Sequence, residues 1–200
     1  SNNKLIEKKI KNTSGGITWS LNDKSFFYTP LDKYHRSRKI YKHVLGTQIE
    51  DDELIFEEKD KTFSVGISLT SDEKYFVISS SDSNTVEEYY FLSNEKKIKP
   101  KLFEIRKKGI RYSIDSWKGY WYIHTNKNAL DYQILRSKNN NINNTEIFIA
   151  AKNETIVGNL DFLDNYILRA ESTNAIPKIF IRDIKNNTEE ELLISDEPVG

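Results

Sequence analysis

The sequence has no cysteine and no methionine, and only 4 prolines and 8 glycines among its 200 residues. Without cysteine the chain can form neither a disulfide framework nor a thiolate zinc site. That absence favours a reducing compartment, so we expect a cytoplasmic protein, and the residues do not exclude the periplasm. The chain starts with Ser1-Asn2-Asn3 rather than an initiator methionine, which indicates a piece of a longer protein.

Long apolar runs and an excess of one charge are also missing. No apolar stretch approaches the ~20 residues that a membrane span needs, and no signal-peptide pattern is present. The 30 basic residues balance the 30 acidic residues, so the chain has no electrostatic footprint for nucleic acid or for an anionic membrane. We therefore expect neither nucleic acid nor membrane among its partners.

A fourfold repeat of short alternating segments fills the chain instead. Its first segments begin near Ile17, Ser64, Tyr112 and Ile156. Each repeat holds four such segments with turn residues between them, at a period of roughly 45–50 residues, which is typical of β-propeller blades. We predict an all-β chain of four antiparallel four-stranded blades that forms one partial propeller domain over residues 1–200. The approximate blade limits are 10–60, 61–108, 109–153 and 154–197.

A catalytic constellation is not visible in the sequence. No Gly-x-Ser-x-Gly elbow occurs, since the segment around Ser68 (Gly66-Ile-Ser-Leu-Thr70) lacks the second glycine. The three histidines, His35, His43 and His124, lack metal-binding spacing. We therefore predict no catalytic residue, no metal site and no cofactor in this chain.

Charged pairs are common but have simpler explanations. Glu57 and Glu58 are adjacent in a strand, so their side chains point to opposite faces and cannot form a catalytic pair. The basic run from Arg106 to Arg111 falls between two repeats, and we interpret it as a solvated linker. A contact with an anion or an acidic partner is the alternative interpretation of that run.

Small and polar residues mark the first strand of each repeat, as expected beside a central channel. On this ground we predict four channel-facing residues: Thr18, Ser68, Asp115 and Asp161. A propeller glycosidase is a third possible function, because such an enzyme needs two inward-facing carboxylates at a defined separation. Asp115 and Asp161 are the candidates for that pair.

Several segments resemble the propeller of the prolyl oligopeptidase family of serine peptidases, and within it the oligopeptidase B group. The most specific is Ile40-Tyr-Lys-His-Val-Leu-Gly-Thr47, followed by Asp51–Asp60 and Thr62-Phe63. The others are Asn12–Trp19, Arg106–Asp115, Thr125–Lys127 and Asp131–Leu135. The resemblance extends across nearly the whole chain.

The resemblance implies that this chain is an open arc of four blades from a seven-bladed propeller. In the family that propeller covers an α/β-hydrolase domain with a Ser-Asp-His triad, which lies outside these residues. The implied function is non-catalytic: the propeller excludes large substrates from a peptidase that hydrolyses short peptides after Arg or Lys. Implied partners are the missing hydrolase domain, the missing blades and short peptides.

Two further expectations follow from the repeat. A stand-alone propeller scaffold that binds proteins is the alternative function. Because stacked repeats with bare ends lose stability, we also expect the isolated chain to pair through its exposed blade faces as a homodimer.

Overall fold

The computed structural model describes residues 10–138 and 143–192, which form sixteen β-strands in four antiparallel sheets. Each sheet is a meander of four consecutive strands. One 3-10 turn at Ile49–Asp51 is the sole helical element in these ranges, and no helix there has the length and apolarity to span a bilayer. The predicted set of four antiparallel four-stranded sheets is confirmed.

The strand limits follow the repeat. Sheet 1 contains β1 (Thr13–Trp19), β2 (Ser25–Pro30), β3 (Lys39–Val44) and β4 (Glu53–Glu57). Sheet 2 contains β5 (Ser64–Leu69), β6 (Tyr75–Ser81), β7 (Val86–Leu92) and β8 (Lys101–Glu104). Sheet 3 contains β9 (Tyr112–Trp117), β10 (Tyr120–Thr125), β11 (Gln133–Lys138) and β12 (Glu146–Ile149). Sheet 4 contains β13 (Thr155–Phe162), β14 (Tyr166–Thr173), β15 (Ile176–Asp183) and β16 (Thr188–Leu192).

Turn residues close the first hairpin of each sheet in a way that the sequence explains. Before β2, the Asn22 side-chain oxygen accepts a hydrogen bond from the Lys24 backbone N–H at 3.0 Å, and the Asp72 carboxylate does the same for Lys74 at 3.2 Å before β6. Between β9 and β10, Lys118 and Gly119 both have positive φ (47° and 84°), as a two-residue type I′ turn requires.

The chain divides into two compact units, Ser1–Gly109 with sheets 1 and 2, and Ile110–Gly200 with sheets 3 and 4. In the first unit, side chains from the facing sides of sheets 1 and 2 form one apolar core. Its buried members are Phe27, Ile40, Val65, Phe76, Ile78 and Phe91. Phe27 packs at a ring-centroid distance of 4.8 Å from Phe76, which joins the two sheets.

The second unit has its own core between sheets 3 and 4. Its buried members are Trp117, Tyr122, Ile134, Val157 and Ile167. Phe162 of β13 stacks on Trp117 at 5.1 Å and lies 4.8 Å from Tyr122, so that aromatic side chains of sheet 3 pack on the first strand of sheet 4.

The register of strand pairing identifies equivalent positions in different sheets. In sheet 2, Val65, Ile67 and Leu69 of β5 pair with Ser80, Ile78 and Phe76 of β6. In sheet 4, Val157, Leu160 and Phe162 of β13 pair with Glu171, Arg169 and Ile167 of β14. Arg169 of sheet 4 therefore occupies the position of Ile78 in sheet 2, and Glu171 the position of Ser80.

Candidate functional site

Two of the predicted channel-facing residues lie in the first unit, on first strands that are close together. The Thr18 hydroxyl of β1 donates a hydrogen bond to the Ile67 carbonyl of β5 at 2.9 Å, and Thr18 is half-buried. Ser68, the residue after Ile67, is exposed. The structure thus brings Thr18 close to the segment that contains Ser68. That these two residues face a channel stays a prediction.

The other two predicted residues lie in the second unit. Asp115 of β9 is half-buried between Ile114 and Ser116, and Asp161 of β13 is exposed next to Leu160. Two residues before each of them, the Ser113 hydroxyl lies 3.5 Å from the Asn159 side-chain oxygen. Their channel-facing role also stays a prediction.

Arg106 forms the most extensive charge cluster of the first unit. Its guanidinium donates to Glu87 of β7 (2.7 and 3.1 Å) and to Glu58 (2.6 Å), a residue 48 positions earlier in the chain. The same guanidinium stacks over the Phe63 ring at 4.1 Å. Both carboxylate side chains are 6% exposed, so a single arginine neutralises two buried glutamates.

Hydrogen bonds keep both of these carboxyls ionised. Burial by itself raises the pKa of Glu58, but the Ser80 hydroxyl, the Asp60 backbone N–H and Arg106 outweigh it and hold that pKa below its ordinary value. Glu87 behaves in the same way, because Arg106 donates to it from both side chain and backbone. Burial together with the Glu87 carboxylate raises the pKa of the Tyr89 hydroxyl to about 12.

This geometry corrects one interpretation made from the sequence. Arg106 is not part of a solvated linker, since its side chain is 25% exposed and bound on several sides. Glu58, which directly follows β4, is a buried member of the same cluster. The signal that sequence reasoning missed is the spacing: Glu58 and Arg106 are one repeat apart and have opposite charge.

The second unit contains a different charge cluster, centred on Arg169. This side chain is 4% exposed and donates to Glu171 at 2.8 Å and to Glu189 of β16 at 2.8 and 2.9 Å. Lys152 donates to both carboxylate oxygens of Glu171 at 2.8 Å, and the Arg169 guanidinium stacks over Phe180 at 4.6 Å. Burial lowers the pKa of Arg169, but the hydrogen bonds and charges of Glu189 and Glu171 reverse that and leave it raised.

A third polar group, the Tyr28–Asp52–His43 cluster, lies on sheet 1. The Tyr28 hydroxyl donates to one oxygen of Asp52 at 2.9 Å, and His43 Nδ1 lies 2.7 Å from the other oxygen. Burial and the hydrogen bond to Asp52 raise the pKa of Tyr28 well above its ordinary value. The Asp52 side chain is 2% exposed, so its two bonds replace the water that it has lost.

None of these groups has the geometry of a nucleophilic triad within the described residues. In the Tyr28–Asp52–His43 cluster the hydroxyl binds the carboxylate and not the imidazole, so no base activates it. Ser80, which donates to Glu58, is completely buried and cannot meet a substrate. His124 Nε2 donates to the Val157 carbonyl at 2.7 Å, and burial lowers its pKa.

The same holds for metal binding in the part of the chain that the structure describes. It contains no group of three or more His, Cys, Asp or Glu residues that could hold a metal ion. A cavity of about 270 Å³ lies in the first unit beside Ser20, Lys42 and Ser93. The rings beneath it, Phe76 and Phe91, are at most 2% exposed, so the cavity offers a ligand little apolar surface.

Comparison with known proteins agrees with the four-sheet fold. The family model described as "Prolyl oligopeptidase, N-terminal beta-propeller domain" matches residues 1–199. Among curated proteins, Protease 2 of Moraxella lacunata is 29% identical over 180 residues, which cover 88% of this chain and 26% of the relative. Dipeptidyl aminopeptidase BI of Pseudoxanthomonas mexicana is 24% identical over 200 residues, which cover 96% and 27%. The chain therefore spans about a quarter of the length of these relatives.

Solved structures give the same fold. Oligopeptidase B of Trypanosoma brucei, in a closed form with covalently bound antipain, has a TM-score of 0.88 at 21% identity, covering 98% of this chain and 29% of that one. Oligopeptidase B of Leishmania major has a TM-score of 0.87 at 20% identity, with coverages of 97% and 29%. The predicted β-propeller class is confirmed, and the four sheets are its blades.

Proposed function

The chain belongs to the family of N-terminal β-propeller domains of prolyl oligopeptidases, and on this premise we propose that it is the non-catalytic, size-excluding part of a serine oligopeptidase. The observation that carries the proposal is the family match over residues 1–199, because it assigns the whole chain to the domain that accompanies a peptidase. The closed hydrogen bonding around Glu58, Glu87 and Arg169 supports a structural use of these charges.

The proposed substrates are short peptides, cleaved by the parent peptidase after Arg or Lys. Support comes from the resemblance to the oligopeptidase B group and from relatives that are named as peptidases. In this proposal the peptide passes the first strands, where Thr18, Ser68, Asp115 and Asp161 lie, before it reaches a hydrolase domain. We further propose that the parent peptidase works in the cytoplasm.

The size-exclusion role can be tested by narrowing the proposed path of the peptide along the first strands. In the parent peptidase, Ser68→Trp places a large ring on the exposed side of β5. We expect the loss in kcat/KM to grow with peptide length, from a dipeptide substrate to peptides of ten or more residues. The matched control is Lys101→Trp, on the exposed outer strand β8, which should affect all lengths equally. Equal losses for every length in Ser68→Trp contradict the proposal.

The non-catalytic role has a separate test on the 200-residue chain alone. We expect no hydrolysis of a short Arg-containing peptide above the buffer blank, and turnover would contradict the role. We also propose that the isolated chain self-associates through bare sheet faces. Sedimentation analysis over a range of concentrations checks this, and a monomer throughout argues against it.

A further inference from the structure

The cavity of about 270 Å³ in the first unit is lined by the turn that joins β1 to β2, by β3 and by the segment that follows β7. Three aromatic rings also line it, but Phe27, Phe76 and Phe91 are at most 2% exposed. Apart from these rings and Ile98, the lining residues are polar or charged. Drug-sized pockets begin at ~300 Å³. The cavity therefore suits a small polar molecule.

Sheet 1 contributes two hydrogen-bond donors to this cavity, Asn22 and Lys42. The Oδ1 atom of Asn22 accepts the Lys24 backbone N–H at 3.0 Å and the Ser20 hydroxyl at 2.8 Å. These bonds fix the orientation of the amide, so the two hydrogens of its Nδ2 atom remain for other partners. Lys42 is half-buried and makes no ion pair with any described residue.

The second unit contains a corresponding cation that has a partner. In the strand register, Lys42 of β3 lies opposite Glu53 of β4. Arg136 of β11 lies opposite Glu146 of β12 in the same way, and its guanidinium donates to that carboxylate at 2.8 Å. No such bond joins Lys42 to Glu53, although the structure describes both residues. Because a partly buried charge is unfavourable without a partner, an anion in the cavity would stabilise Lys42.

The segment that follows β7 adds four consecutive polar residues to the lining: Ser93, Asn94, Glu95 and Lys96. None of their side chains has a hydrogen bond or an ion pair with another described residue. Ser93, Asn94 and Lys96 are donors, whereas an ionised Glu95 only accepts hydrogen bonds. Among the described lining residues, Lys42 and Lys96 against Glu95 leave a net charge of +1.

A small oxyanion that keeps a proton fits this set of groups. The lysines and the other donors bind its unprotonated oxygens. Glu95 binds the anion only where it carries an O–H, because an ionised carboxylate has no proton to donate. Inorganic phosphate retains at least one O–H at neutral pH, whereas sulfate has none. A phosphate monoester is largely a dianion without a proton at neutral pH, since its second pKa is about 6.

We propose that the cavity between sheets 1 and 2 is a binding site for inorganic phosphate. Lys42 and Lys96 neutralise the anion. Asn22 and Ser93 donate to its oxygens, and its O–H donates to Glu95. The bound ion links β3 to the segment that follows β7, so it stabilises the folded first unit. This site does not depend on the proposed peptidase function, because every residue in it belongs to the first unit.

Isothermal titration calorimetry of the 200-residue chain at neutral pH and constant ionic strength tests the site. The probes are inorganic phosphate, sulfate and O-phosphoserine. Binding is measured directly, since phosphate and sulfate also stabilise folded proteins without occupying a site. We expect saturable binding of phosphate and at least about tenfold weaker binding of the other two, which lose the bond to Glu95. Equal affinities for the three anions, or no saturable binding of phosphate, overturn the proposal.

A substitution at Lys42 tests the cation of the site. Lys42→Gln removes the charge and keeps most of the side chain, so the affinity for phosphate should fall at least about tenfold. The matched control is Lys61→Gln, at an exposed residue between β4 and β5 that does not line the cavity, and it should bind phosphate like the original chain. Equal affinities in the two variants overturn the proposal.

A second variant keeps the test decisive if Lys42→Gln does not fold. Glu95→Gln gives the lining an amide that donates as well as accepts, so sulfate can now be bound at this position. The ratio of phosphate to sulfate affinity should therefore fall from at least about tenfold to near one. An unchanged ratio means that Glu95 does not recognise the proton of phosphate, and it overturns the choice of this ligand.

Discussion

The two units of this chain fill one equivalent core position with opposite chemistry. In sheet 2 the position is Ile78, which is completely buried among Phe27, Phe76 and Phe91. In sheet 4 it is Arg169, which is 4% exposed, is paired with Glu171 and Glu189 and lies over Phe180. A blade therefore does not require an apolar residue here, because a cation is accommodated when every charge around it is paired.

The surrounding residues explain why each unit can use its own solution. In sheet 4 the position equivalent to Ser80 is Glu171, so the acid that Arg169 needs lies two residues away on the same face of β14. In sheet 2 the buried charges lie beside the apolar core, in the Arg106 cluster. There Arg106, in the segment that follows β8, binds Glu58 and Glu87. The three predictions below test this contrast, from the largest expected effect to the smallest.

The largest loss of stability is expected when the arginine of the second unit is placed at the equivalent position of the first unit. Ile78→Arg introduces a cation among aromatic side chains, and a buried charge without a prepared partner costs much more than a lost apolar contact. We expect a loss of at least about 4 kcal/mol in the free energy of unfolding of the first unit. Amide exchange with mass spectrometry should show this loss in β5–β8.

The control for that substitution is Ile78→Val, which removes one methyl group and should cost about 1 kcal/mol. If Ile78→Arg is no worse than this control, the apolar core of the first unit tolerates charge, and the contrast between the two units disappears.

Removing the cation from the second unit gives the next effect. Arg169→Ala leaves Glu171 buried with Lys152 as its remaining partner, and breaking a buried pair from one side costs about 3–5 kcal/mol. Denaturant unfolding monitored by amide exchange in β13–β16 measures it. The double variant Arg169→Met with Glu171→Met removes both charges and should recover most of the loss.

Recovery in this double variant separates pairing from packing. If Arg169→Met with Glu171→Met is as unstable as Arg169→Ala, then the charge pair itself stabilises sheet 4 beyond what apolar packing of similar volume can replace.

The smallest effect is the pH dependence of the Arg106 cluster. Glu87→Gln removes a charge-assisted bond to Arg106, which should cost about 2 kcal/mol at pH 7. The folded-state pKa of Glu87 lies below its ordinary value of 4.5, so the carboxylate stabilises the fold above that value and stops doing so as the pH falls through the lowered pKa. The difference between the original chain and Glu87→Gln should therefore shrink as the pH falls below about 4.5.

Urea unfolding of the first unit between pH 7 and pH 3 measures that difference. Glu53→Gln, on an exposed strand position, is the matched control and should differ little from the original chain at every pH. A Glu87→Gln penalty that stays constant down to pH 3 would mean that the bond to Arg106 does not depend on the ionised carboxylate.

Prediction from the sequence succeeded where the signal is local. The alternation and the turn residues placed the starts of β5 and β9 at Ser64 and Tyr112, where the structure begins them, and the start of β13 within one residue, because both features depend on neighbours in the chain. Prediction failed for Arg106, which was interpreted as part of a solvated linker. Its burial depends on contacts with Glu87 and Glu58, which lie 19 and 48 positions earlier in the chain.

The sequence by itself determined the repeat, the four-stranded meander within each repeat and the family, since these follow from periodicity, turn chemistry and short motifs. Only the tertiary structure decided which charges are buried and with whom they pair. Packing one sheet on another brings the residues of equivalent strands together, and a charge is stable there only if its partner arrives from a distant part of the chain. Ile78 and Arg169 occupy equivalent positions in the repeat. The sequence shows that one is apolar and the other charged, but only the packing around sheets 2 and 4 explains why each residue is stable there.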